Sequence, residues 1–112
     1  MMTGALILGP DRGLEAALTD NGVETTQVQR PSTEANLTEA GLEEAALLFV
    51  TDPEEASAIP VARGAQPDVR IVWYAPDSVP EFATRQLDLG VDPRLIDPGI
   101  LIEEQVSALN PT

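Results

Sequence analysis

The chain has 112 residues, enough for one hydrophobic core and too few for two, so residues 1–112 are read as a single domain. It carries 19 acidic residues against 6 basic ones, a net charge of −13, and every basic residue is an arginine. Cysteine and histidine are missing, which excludes disulfides, thiol nucleophiles, imidazole bases and metal sites built on nitrogen or sulfur.

Short apolar runs recur along the chain. The first, 5–8 (ALIL), turns on Gly9 into a helical segment that stops at Gly22. The second, 23–28 (VETTQV), is followed by a polar loop, 30–36 (RPSTEAN), and a short helical piece, 37–45 (LTEAGLEEA). The third, 46–50 (ALLFV), leads into Asp52-Pro53-Glu54-Glu55, with Asp at the cap, Pro at the first helical position and Glu three residues after the cap. Pro60 would remove a hydrogen bond from the interior of that helix, so the helix is expected to kink or begin late, and to stop at Gly64. The fourth run, 69–74 (VRIVWY), precedes Ser78-Val79-Pro80-Glu81, a second capping-box spacing, and a helix stopping at Gly90. A weaker fifth run, 94–96 (RLI), precedes a last helix opened by Asp97-Pro98. Near-continuous apolar strands alternating with helices predict an α/β three-layer sandwich around a five-stranded, mainly parallel sheet.

Apolar segments are interleaved with the charges throughout, so the acidity belongs to the surface of a folded domain and not to a disordered tail. Such a surface repels itself until salt screens it, and the Debye length falls from about 10 Å at 0.1 M to about 3 Å at 1 M. Together with the missing lysines this is the composition of a protein adapted to molar salt. The expected setting is the cytoplasm, with no apolar run near the ~20 residues of a membrane span and no signal-peptide pattern. Nucleic acid is an unsuitable partner for this charge.

The opening strand-glycine-helix, with Leu37-Ala40-Gly41, Ala46, Thr51-Asp52, Leu89-Gly90-Asp92 and Pro98, resembles the nucleotide-sensing RCK or TrkA-N domain of potassium channels and transporters. That resemblance implies a Rossmann-like fold with one strand deleted before Leu37, hence the order 2-1-3-4-5, and a regulatory function. The whole chain is also similar to a small haloarchaeal family sometimes labelled CTP synthetase. That label implies nucleotide metabolism, but the sequence contains no P-loop and no glutaminase cysteine or histidine.

A dinucleotide loop reads G-x-G-x-x-G. Gly9 fills the first place, Asp11 stands at the second and Leu14 at the third, with Gly13 off register. An anion ~4 Å from Asp11 is repelled by about 4 kcal/mol at an effective dielectric near 20, against the 0.3–2 kcal/mol a helix N-terminus offers. After the second strand stand Gln27, Gln29 and Arg30 where such an enzyme places the ribose-binding acid. Asp11 is therefore read as a helix cap and Gly9 as a turn.

In an open parallel sheet, ligands bind beyond the carboxyl ends of the strands. The residues expected there are Gly9, Asp11, Arg12, Gly13, Thr51, Asp52 and Asp77, which would suit a mononucleotide with magnesium if they converge. Asp after the first and third strands also resembles the receiver domains of two-component signalling, although the lysine receivers place near the end of strand five is missing. Without lysine or histidine to activate a nucleophile, the expectation is a non-catalytic binding or regulatory module, meeting a small nucleotide, a protein partner or a second copy of itself.

Overall fold

The computed structural model describes residues 4–109. Four of the apolar runs become strands: β1 (Gly4–Leu8), β2 (Glu24–Gln27), β3 (Ala45–Val50) and β4 (Arg70–Tyr74). The fifth strand, β5, is Leu89–Val91 and not the 94–96 run. The reason lies just before it: α4 (Glu81–Thr84) is a single turn, so the chain returns to the sheet early. Arg94 to Ile96 then follow a turn in which Asp92 Oδ1 accepts from the Arg94 N–H at 2.8 Å, leaving Leu95 84% exposed.

All neighbouring strands pair in parallel, in the order β2-β1-β3-β4-β5. Alternate side chains of the central strands enter two cores, because successive strand residues point to opposite faces. On one face Ile7, Phe49 and Tyr74 pack with Leu14 and Leu18 of α1 (Leu14–Asp20) and Leu101 and Ile102 of α5 (Pro98–Leu109). On the other, Leu8, Leu48 and Trp73 pack with Leu37 of α2 (Glu34–Glu39), Ile59 of α3 (Ala58–Ala65) and Ala83 of α4. Each large side chain fully buried in these layers contributes about 1.5–3 kcal/mol relative to exposure. Trp73 and Tyr74 are thus core residues of opposite faces, each with its polar atom satisfied by a carbonyl, that of Asp77 at 3.0 Å and that of Ile96 at 2.8 Å.

The helix signals divide. Asp52 does cap, but what it caps is one turn of 3₁₀ helix, Pro53–Glu55; α3 begins later, at Ala58, with Pro60 in its first turn where a missing N–H costs no bond. Asp97 opens α5 as expected, its Oδ1 accepting from Gly99 N–H at 2.7 Å. Ser78 caps nothing: Pro80 stands at the cap of α4, without a side-chain bond. Gly22, at φ +74°, ends α1, with Val23 N–H returning to Leu18 O at 2.9 Å. Gly64 lies inside α3 and Gly90 inside β5, so neither is a stop. α2 begins within the predicted loop, because Thr33 Oγ1 accepts from Asn36 N–H at 3.1 Å and starts the helix three residues early. Among the described residues, no helix is long and apolar enough to cross a membrane.

Candidate functional site

The registers Leu8↔Val50, Val50↔Trp73 and Tyr74↔Val91 bring the carboxyl ends of the strands to one rim. The chain leaves β1 and β3 towards opposite faces of the sheet, which makes their shared end the topological switch point. Gly9, Asp11, Arg12, Gly13, Thr51 and Asp52 meet there. Asp77 does not join them: it follows β4, two strands from β1. There it helps line a cavity of about 260 Å³ with Ser78, Gly90 and Asp92.

The switch point is drawn closed by its own residues. Thr51 is fully buried, and its hydroxyl lies 2.6 Å from Pro10 O and 3.2 Å from Leu8 O, tying β3 to the loop after β1. Gly9 adopts φ +112°, and a Cβ on it would fall 2.6 Å from Thr51 Oγ1 and 2.8 Å from Asp52 Cβ. Gln27 donates to Gly9 O at 2.6 Å from the neighbouring strand. Gly13, at φ +81°, lets the start of α1 approach α5, since a Cβ there would stand 3.0 Å from Pro98 Cγ.

Both carboxylates of the cluster are engaged. Asp11 accepts from the N–H groups of Gly13 and Glu15, each at 3.0 Å, and so serves the first turn of α1. Asp52 Oδ1 accepts from Glu54 N–H at 2.9 Å and Oδ2 accepts from Arg30 at 2.7 Å. The Glu54 N–H, followed by the Arg30 guanidinium and more weakly by Arg12, holds the Asp52 carboxyl below its ordinary range against the opposing effect of burial. Arg30 is the residue the sequence reading missed as a partner of Asp52. The signal was there, since parallel strands in the order 2-1-3 end on the same side, but the pairing depends on where the 30–33 loop turns.

Arg12 is held in the left-handed region, at φ +51°, with Nε donating to Thr51 O at 3.0 Å. No carboxylate among the described residues lies within ion-pair distance of it. Beneath it, Tyr74 has its hydroxyl pKa raised, first by burial and then by the nearby Asp97. Among the described residues no group of three or more acids gathers as a metal-binding set.

Residues 5–105 match a family of unknown function, DUF7126. The chain belongs to this family. No curated protein matches it. Among solved structures, this DUF7126 chain is similar to a CheY-like response regulator receiver domain protein from Methanospirillum hungatei, at 15% identity and TM-score 0.70, covering 99% of this chain and 96% of that one. It is also similar to an orphan response regulator of H. pylori, at 12% identity and TM-score 0.70, covering 92% and 93%. The TrkA-N domain of the inner membrane protein ybaL from Escherichia coli matches at 20% identity and TM-score 0.60, covering 97% of each chain. At these identities the likeness is one of fold. The resemblance to RCK or TrkA-N domains holds at the level of an α/β, Rossmann-like fold.

Proposed function

We propose that this chain is a non-catalytic regulatory module of the receiver type, acting in the cytoplasm by contact with a protein partner and without a phosphoryl-accepting step. The observation that carries the reading is the state of Asp52, the acid after β3. Both of its oxygens are committed, one to the Glu54 N–H and one to Arg30. Phosphorylation there would take one of these oxygens together with the bond it makes and would remove the carboxylate charge that Arg30 pairs with, and no lysine stands anywhere in the chain to meet the added phosphoryl group. The receiver-like neighbours support this alternative over direct descent from a nucleotide sensor. Nothing in the residues at the rim supports the CTP synthetase label.

Incubation with acetyl phosphate and magnesium in molar salt, read by intact mass, is expected to leave the chain unmodified. A phosphorylated species that disappears in Asp52→Asn would overturn the reading.

A second reading rests on Arg12, the guanidinium at the switch point without an acid partner among the described residues. It would take the phosphate of a mononucleotide. A thermal-shift screen of nucleotides with and without magnesium tests it, and a shift abolished by Arg12→Ala would favour it.

A further inference from the structure

The sheet ends at β2, and that edge differs from the rest of the molecule. We propose that the β2 edge receives an extended, arginine- or lysine-rich segment of a partner protein as a sixth strand. The proposal deepens the protein-contact reading above by giving the partner's chemistry.

Backbone geometry supplies the first argument. Val28 N–H donates to Ile7 O at 2.9 Å, so by the two-residue alternation of a parallel ladder Glu24, Thr26 and Val28 turn their N–H and C=O groups to β1. Thr25 and Gln27 turn theirs outward, where the sheet order places no further strand. The exposed edge is polar, with Thr and Gln side chains, and a strand added to it would be held chiefly by main-chain bonds.

The space beside the edge supplies the second. α1 has 7 residues and α2 has 6, too few to cover the strand on either face. A cavity of about 380 Å³ opens on the α2 side over Leu6 and Thr26, and one of about 190 Å³ continues it past Gln29 and Asn36. On the α1 side a cavity of about 590 Å³ lies over Thr19 and Thr25. Side chains of an added strand would alternate between these two faces.

Charge selects the occupant. Glu24 and Glu44 line the first cavity, Glu39 the second, and Glu15 and Glu24 the third, while no arginine lines any of them. A second copy paired edge to edge would oppose these glutamates to their own kind, which destabilises a strand pair. A cationic segment meets them with the opposite sign and brings the backbone groups the edge lacks.

The test uses the full chain labelled with nitrogen-15 and a short peptide alternating arginine and valine. Spectra at 0.1 M and 1 M salt, where the Debye length falls from about 10 Å to about 3 Å, report binding and show that the chain is folded. The expected result is slowed hydrogen exchange at the Thr25 and Gln27 amides, with weaker binding at the higher salt. Glu24→Gln and Glu44→Gln should each lower affinity about two- to fivefold. Thr25→Pro, which removes an outward N–H and spares the ladder to β1, should lose binding. Failure to bind at 0.1 M, binding without protection of those two amides, equal binding of an N-methylated peptide of the same charge, or protection that rises with protein concentration in the absence of peptide would each overturn the proposal. Phosphoryl incorporation plays no part in this test, so it and the Asp52 reading fail separately.

Discussion

The Thr51 hydroxyl occupies the space that a side chain on Gly9 would need: a Cβ built there falls 2.6 Å from Oγ1. The turn after β1 is therefore specified twice, by the φ of +112° that only glycine adopts freely and by the buried threonine that bonds the loop carbonyls. Gly9→Ala is expected to cost about 1–3 kcal/mol, measured by chemical denaturation in high salt. Thr51→Ala should cost less in the Gly9→Ala background than alone, because it relieves the closest clash; purely additive losses would count against this contact.

Asp52 ties stability to pH. Its folded pKa is lowered by the Glu54 N–H and by Arg30, so its contribution is complete above the unfolded value of about 3.9 and is lost as pH falls through the lower folded value. Asp52→Ala is expected to cost about 0.5–2 kcal/mol at neutral pH, as the loss of a helix cap. Denaturation curves of both proteins between neutral pH and acid should converge as the wild-type carboxylate protonates. A difference that persists in strong acid would show that the ionised form is not what stabilises the turn.

Asp97 and Ser78, both placed at helix starts by the sequence, should behave differently from each other. Asp97 Oδ1 accepts from Gly99 N–H at 2.7 Å and from Ile100 N–H at 3.3 Å, so Asp97→Ala is expected to cost about 0.5–2 kcal/mol. Ser78 is exposed and makes no cap bond, so Ser78→Ala should fall within about 0.5 kcal/mol of wild type. Thermal melts of the two variants side by side give the comparison.

The surface charge gives a prediction for the whole chain. With a net charge of −13 and no lysine, the melting temperature should rise as potassium chloride is raised from about 0.1 M towards molar concentrations. Circular dichroism followed through the melt measures it, and a transition that does not move with salt would remove the case for salt adaptation.

Composition and periodicity by themselves determined the architecture. Three strands could be located from runs such as LLFV, because a parallel strand buried on both faces must be apolar throughout, and Asp52 and Asp97 were legible as caps because Asp-Pro suits the entry to a helical turn. Only the tertiary structure decided the rest. β5 fell at Leu89–Val91 because α4 is a single turn, and no local signal in LGV separates a strand from the end of a helix. Ser78 carried the same spacing as Asp52 without capping, since a cap depends on the backbone angles at the entry and not on residue type alone. At the rim, the sequence gathered Asp11, Asp52 and Asp77 into one expected crevice. The fold gives Asp11 to the α1 N–H groups, in line with its reading as a cap, but Asp52 to Arg30 and Asp77 to another strand, because a carboxylate takes whichever donors the folded backbone brings within about 3 Å, and sequence spacing does not fix those distances across strands.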